Sequence, residues 1–269
     1  MGDSSRGVSE LAQNAVFERF ARGGYVMNGL LHLIIGYLAI RIALGSGRGD
    51  ADPSGALAAV ASQQGGRLAL WIAATAFASM ASWRLVETVL GRSTDPKNQG
   101  ALAETSDRVK ALGLAGVYFA FAYSAVGFAR GTGESSARQN ATMSARLLQS
   151  SAGVAALIVA GVIVVVVGGY HVHKGVTKNF RADLKGRSSG LAIRLGVVGY
   201  VAKGLTIAVA GVLVIIAASR SQPEKATGLD GALKVLGAQP HGVVLLILAG
   251  AGIVTYGLYS FVMARDTKM

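Results

Sequence analysis

From Leu147 to Tyr170 the chain reads LLQSSAGVAALIVAGVIVVVVGGY, without one charged side chain. A helix needs about 20 apolar residues to cross the roughly 30 Å hydrocarbon layer of a bilayer, and this stretch is long enough. A lone strand of that length in lipid would leave its backbone groups unpaired, so the stretch reads as a helix. Five other stretches follow the same rule. Gly23–Ile40, Ala111–Ala129 and Val235–Ala264 carry no charge, and Leu195–Ser219 carries only Lys203. Leu68–Trp83 is charge-free and continues past Arg84 and Glu87 to Leu90. The predicted fold class is all-α: a polytopic membrane bundle of six transmembrane helices.

Composition agrees. Hydrophobic residues make up 52% of the 269-residue chain and charged residues 15%, against about 25% charged in soluble domains. With no cysteine, disulfides, thiolate metal sites and a catalytic thiol are excluded. The first span follows about 22 residues of mixed charge and lacks a small-residue cleavage site, so it reads as an uncleaved anchor.

Formal net charge is +12. On a soluble protein that would suggest nucleic acid; here the bases flank apolar spans and suit anionic headgroups, each worth about 1 kcal/mol. Membrane lipids at the basic loops are therefore the expected partners, with other membrane proteins or a second copy beside them, and no nucleic acid. The densest run, 174–187, is expected to be a lipid-facing loop. Of the 26 Lys and Arg, 15 fall in the amino terminus, 91–110, 171–194 and the tail, and 8 in the alternate connections. Arg41, Arg84 and Lys203 lie on the spans. The positive-inside rule then puts both termini in the cytoplasm and the protein in the cell membrane.

The chain also repeats itself. Gly24-Tyr-Val-Met-Asn-Gly-Leu30 in the first span matches Gly199-Tyr-Val-Ala-Lys-Gly-Leu205 in the fifth. Gly55-Ala-Leu57 before the second span matches Gly231-Ala-Leu233 before the sixth. A fainter middle copy puts Gly116 in the place of Gly29 and Gly153 in that of Gly66. Each copy is a helix pair, at about 17–92, 104–180 and 187–266 of one membrane domain spanning 1–269. An even number of spans per copy makes the three copies parallel, related by an axis along the membrane normal, so a pseudo-three-fold bundle follows. The outer connections are expected to form short helices, capped at Ser54 and at Asp230.

Glycines recur seven apart at Gly29/Gly36, Gly161/Gly168, Gly204/Gly211 and Gly250/Gly257. Seven residues are two helical turns, so each pair lies on one stripe where backbones can approach. Leu at Gly204 or Gly211 is expected to disrupt packing more than Leu at Ala208 or Ala210.

The basic residues leading into G-Y-x-x-x-G-L (Arg19 and Arg22, again Arg194), the Pro53-Ser-Gly-Ala-Leu57 segment and the Trp83-Arg-Leu-Val-Glu87 exit carry a resemblance. The chain resembles a family of bacterial membrane proteins, mostly from high-GC Gram-positive bacteria, defined by a domain of unknown function in three copies. The resemblance implies a helix-pair fold in the cytoplasmic membrane and supplies no activity. The middle copy departs from it, with Leu112 at the Tyr25 position and no G-A-L.

Ionisable groups within spans are candidate functional groups. Tyr25, Asn28 and His32 share one helix face, and Lys203 stands at the position of Asn28 in the fifth span. Glu87 is the acid within a span, with Arg84 one turn before it. The candidate polar cluster is therefore Asn28, His32, Arg84, Glu87 and Lys203, with Glu87 expected to pair with Arg84 or, across the bundle, with Lys203. His171 takes the place of Arg84 in the second copy. His171 and His173 point about 200° apart on a helix of 3.6 residues per turn and cannot share a metal, and no cofactor is implied. Walker A, HExxH, G-x-S-x-G and paired carboxylates are absent, so no catalytic residue is assigned and no enzyme is expected. The expected function is a non-catalytic scaffold or accessory subunit binding proteins or lipids. The alternative is a small-solute or ion permease along the pseudo-three-fold axis.

Overall fold

The computed structural model describes residues 15–45, 49–90, 101–185 and 189–267. Among these, the helices are α1 (Ala15–Ala43), α2 (Pro53–Ala61), α3 (Gly66–Leu90), α4 (Ala101–Arg130), α5 (Ser136–Leu147), α6 (Ser151–Val176), α7 (Gly190–Arg220), α8 (Leu229–Gly237) and α9 (Gly242–Asp266), with short 3-10 turns at Asn179–Asp183 and Pro223–Lys225. The six longest, α1, α3, α4, α6, α7 and α9, each contain a segment long and apolar enough to cross a membrane. This is a multi-pass membrane protein. The expected copy limits at 92 and 187 lie outside the described residues.

The helices pack most extensively across copy boundaries: α3 against α4, α6 against α7, and α9 back against α1. The second helix of each copy thus meets the first helix of the next, and the third copy closes on the first. Lipid supplies little hydrophobic drive between helices, so close backbone approach must hold them. Two of the three interfaces achieve this with the glycine stripes. A Cβ added at Gly168 would lie 2.6 Å from the Gly204 carbonyl oxygen, and one at Gly211 2.8 Å from that of Gly161. One at Gly36 would lie 2.5 Å from the Gly250 oxygen, and one at Gly257 2.9 Å from that of Gly29. The stripes interlock antiparallel, glycine on glycine.

The third interface uses alanine instead. Ala74 and Ala81 on α3 are buried, as are Ala115 and Ala122 on α4, and Phe77 packs on Tyr118 and Phe121 at ring distances of 6.3 and 5.4 Å. This corrects the expected register of the middle copy. Ala115, not Gly116, stands where Gly29 and Gly204 stand, since an added Cβ at Gly116 would meet nothing within 4 Å.

Within a copy the two helices also touch in the outer repeats. Gly24 of α1 lies under Met80 of α3, where an added Cβ would sit 2.7 Å from the Met80 Cβ, and Gly199 of α7 lies under Tyr256 of α9, with the Tyr256 Cα at 2.6 Å. In the alanine-set register the middle copy has Lys110 at this position, a side chain that forbids such an approach. Among the described residues no extended interface forms between α4 and α6. Two turns further along, Leu31 and Thr206 are 4% and 2% exposed, whereas their counterpart Val117 is 48% exposed. The six helices form a ring with one open seam, between α4 and α6.

The end of the bundle carrying both termini is tied together. Arg22 of α1 donates to the Ala264 carbonyl at 2.6 Å and to that of Arg265, satisfying carbonyls that the end of α9 leaves free. The segment after α6, expected to face lipid, turns inward in part. Phe180 is fully buried and stacks on Tyr200 at 5.5 Å, Leu184 is buried and bridges Thr267, and Lys174 pairs with Asp183 at 2.6 Å. Lys178 and Arg181 of the same segment remain exposed.

At the opposite, distal end lie the short helices α2, α5 and α8. The helix α2 is capped by Asp52 with Pro53 at its first position, and α8 begins after Gly228 at φ +77°. Ser54 and Asp230, the expected caps, take other roles. Ser54 donates to Asp52 at 2.5 Å and accepts from the Ser136 amide at 2.9 Å, while Asp230 accepts from the Ala51 amide at 3.0 Å.

Candidate polar site within the ring

Three of the five candidate residues converge between α1, α7 and α9. Asn28, 6% exposed, donates through Nδ2 to Ser260 Oγ at 3.1 Å, and Ser260 in turn donates to the Tyr256 carbonyl at 3.0 Å. His32, one turn on, donates Nδ1–H to the Asn28 carbonyl at 2.8 Å. Its ring lies 4.8 Å from that of Tyr256. Lys203 enters from α7 and places Nζ 3.9 Å from the centre of the Tyr256 ring. A cation over an aromatic face gains up to about 2 kcal/mol when desolvated, which lets a lysine lie within a span without an acid. His171 on α6 lies with its ring 5.9 Å from that of Tyr200 on α7. His171 donates Nδ1–H to the Val167 carbonyl at 2.8 Å, as His32 does to Asn28.

Arg84 and Glu87 form a separate group at the seam of α1 and α3. Arg84 Nη1 lies 2.6 Å from Glu87 Oε2, and Nη2 donates to the Tyr25 hydroxyl at 3.0 Å. The Arg84 alternative for Glu87 is the one realised. Among the described residues no ion pair joins Glu87 to Lys203; the ammonium goes to the Tyr256 face instead. The physical reason is position, because an i, i+3 partner on the same helix is always within reach. Lys203 meets α9 at Tyr256, and its helix α7 packs on α6 and α9 rather than on α3.

The residues that sequence reasoning missed are those that receive these groups, Tyr256 and Ser260 above all. Their only sequence signal is that Tyr256, Tyr259, Ser260 and Met263 recur on one face of α9. Tyr200, Tyr256, Tyr259 and Phe180 touch ring to ring, with centroids 5.2 to 5.6 Å apart. This aromatic layer fills the terminus-bearing end between α7 and α9.

A second polar cluster, at the distal end, went unassigned in the sequence. Asp50 accepts from Ser135 Oγ at 2.5 Å and lies 3.3 Å from Lys234 Nζ, which also pairs with Asp230 at 2.6 Å. Asp52 is 2% exposed; its Oδ1 accepts from Ser54 and from the Gly55 amide, and its Oδ2 has no hydrogen-bond partner among the described residues. Burial pushes the Asp52 carboxyl above the ordinary carboxylate range, against the pull of those two hydrogen bonds. The cluster ties the connections of all three copies together. Among the described residues no group of three or more His, Cys, Asp or Glu is placed to hold a metal ion.

Comparison with known proteins gives the same three-part division. A family model described as Domain of Unknown Function (DUF1206) matches residues 23–91, 109–178 and 198–266. These matches start 86 and 175 residues apart, the spacing that places Ala115 at Gly29 and Lys110 at Gly24. An uncharacterized protein of Bacillus subtilis (strain 168), YxxB, is 28% identical over 250 residues, covering 90% of this chain and 88% of that protein. No solved structure matches.

Proposed function

The chain belongs to the DUF1206 family, and from that premise we propose that it is a non-catalytic membrane scaffold or accessory subunit. One observation carries the reading: each of the candidate polar side chains within the spans is engaged by another group of the bundle. Arg84 is held by Glu87 and Tyr25, Asn28 by Ser260, His32 by a backbone carbonyl and Lys203 by Tyr256. Such pairing stabilises a packed bundle and uses up the groups that a solute path would need. The glycine-on-glycine interfaces and the Phe180 layer support it further. The placement proposed is the cytoplasmic membrane with both termini inside, on the 15-to-8 distribution of basic residues. The test is affinity purification in mild detergent: a protein or lipid that co-purifies in fixed ratio supports the scaffold.

A permease is the second reading, favoured by His32 and Lys203 coming from two helices onto the one Tyr256 ring. Purified protein in vesicles decides between them. Proton or ion flux that Lys203→Met abolishes would replace the scaffold by the permease.

A further inference from the structure

At the distal end the connections of the three copies are joined to one another. Ser54 of the first copy accepts from the Ser136 amide of the second at 2.9 Å, and Asp230 of the third accepts from the Ala51 amide of the first at 3.0 Å. Asp50 reaches both neighbours, the Ser135 hydroxyl and the Lys234 ammonium. Ala51, Ala137 and Ala226 share one position in the register of the family matches, and all three are buried. The segment 50–54 is thus the piece of chain through which α2, α5 and α8 are held together.

Asp52 is the carboxyl of that segment without a counter-charge. Asp230 and Asp50 share Lys234, at 2.6 and 3.3 Å, whereas Asp52 forms no ion pair among the described residues. One of its oxygens is capped by Ser54 and the Gly55 amide, and the other is buried without a hydrogen-bond partner among the described residues. The charges that act on it are like charges, Asp50 from its own segment and Asp230 from α8. Lys234 of α8 is engaged by those two acids. The connection to α5 presents Ser135 and Ser136, and its Glu134 and Arg138 are exposed. Of the long helices packed on α2, α1 holds Arg41 over the Tyr37 ring at 5.8 Å, while Arg67 of α3 and Arg130 of α4 are exposed. An ionised carboxylate buried with a bare oxygen and no cation beside it is strongly disfavoured, and such a group takes up a proton.

We propose that Asp52 is a proton-binding latch at the distal end: with its proton bound it holds α2, α5 and α8 together, and loss of the proton releases them. The contacts show the route. An ionised Asp52 must reach water, and the movement that brings it there pulls Ser54 from the Ser136 amide and Ala51 from Asp230. In the open form the carboxyl titrates near its ordinary value of about 3.9, and in the closed form it keeps its proton to higher pH. Opening is therefore resisted at low pH, grows by up to about ten-fold per pH unit above about 4, and levels off once the closed form also loses the proton. The latch goes beyond the scaffold reading, because it acts with or without a bound partner. It makes the join between the copies respond to pH on the side of the membrane away from the termini.

The test is hydrogen exchange of the full chain in one detergent from about pH 4.5 to about pH 8, near and above the ordinary carboxylate value. Mass spectrometry reads the segments 51–61 and 136–147 and, as a reference at the opposite end, 179–184. Asp52→Asn keeps an acceptor for Ser54 and Gly55 and cannot ionise. Comparing the two chains at each pH cancels the intrinsic pH dependence of exchange. Relative to Asp52→Asn, exchange of the unaltered chain at 51–61 and 136–147 should climb by up to about ten-fold per pH unit before levelling, with a constant ratio at 179–184. A constant ratio in all three segments would overturn the latch. An equal climb at 179–184 would overturn it too, since the whole bundle would then be titrating. Glu134→Gln, at an exposed acid of the same end, should leave the climb in place; its disappearance there would put the proton on another group. Because Asp52→Asn could fail to fold, the unaltered chain is also read alone. Its exchange at 51–61 divided by that at 179–184 should climb in the same way, and a flat quotient would refute the proposal.

Discussion

Adjacent glycines on α6 isolate the energetics of the glycine interfaces. At Gly168 an added methyl would lie 2.5 Å from the Ala208 amide nitrogen and 2.6 Å from the Gly204 oxygen, while at Gly169 it would meet nothing within 4 Å. Ordinary carbon contacts sit at about 3.5 to 4.0 Å, so Gly168→Ala forces α6 and α7 apart by roughly 1 Å. Overpacking of this kind costs about 1 to 3 kcal/mol. Against it, alanine gains up to about 1 kcal/mol over glycine in a helix interior, and Gly169→Ala measures that gain on the same helix. The expected outcome is Gly169→Ala at or above the unaltered stability and Gly168→Ala about 2 kcal/mol below Gly169→Ala, the middle of the overpacking range. Thermal unfolding in one detergent, followed by helical circular dichroism, reads the difference as a shift in Tm. Gly169 is a better control than Ala208 or Ala210, since Ala208 faces Gly168 and Ala210 is buried. Equal Tm values for the two variants would show that the backbones separate at no cost and would refute the interlock.

Glu87→Gln and Arg84→Met should be strongly coupled in a double-mutant cycle, by about 0.5 to 3 kcal/mol, whereas Glu87→Gln and Lys203→Met should add within about 0.5 kcal/mol. Coupling of the second pair as large as the first would contradict the separation of the two groups. Asp52 binds its proton more tightly folded than unfolded, so its contribution to stability falls as pH rises from about 3.9, the ordinary carboxylate value, through its raised folded pKa. Asp52→Asn keeps the cap acceptor and should flatten the dependence of Tm on pH above 4; an unchanged slope would show that the carboxyl is not the titrating group. For topology, Gln63→Cys at the exposed distal end should react with an impermeant maleimide outside cells and Lys178→Cys should not. The reverse pattern would invert the protein in the membrane.

The six spans were legible because bilayer thickness turns length and absence of charge into structure, residue by residue along Leu147–Tyr170. The parallel repeat followed from the Gly24–Leu30 and Gly199–Leu205 match, and the glycine stripes from a spacing of two turns. The candidate cluster was legible only in part. That Arg84 pairs with Glu87 is a local fact of one helix. That Lys203 rests on Tyr256, or that Asn28 meets Ser260 more than 200 residues away, needs the helices brought together.

Sequence by itself determined which residues enter the membrane, how many times the unit recurs and, for four of the six spans, which face carries the glycines. Tertiary structure alone decided that Gly29 meets Gly257, that the register of the middle copy rests on Ala115, that Phe180 folds inward, and that Lys110 leaves one seam open. The physical reason is that helical period is a local property and partner choice is not. In lipid any small stripe can pack on any other with similar gain, so only the closure of all six helices at once selects the pairs.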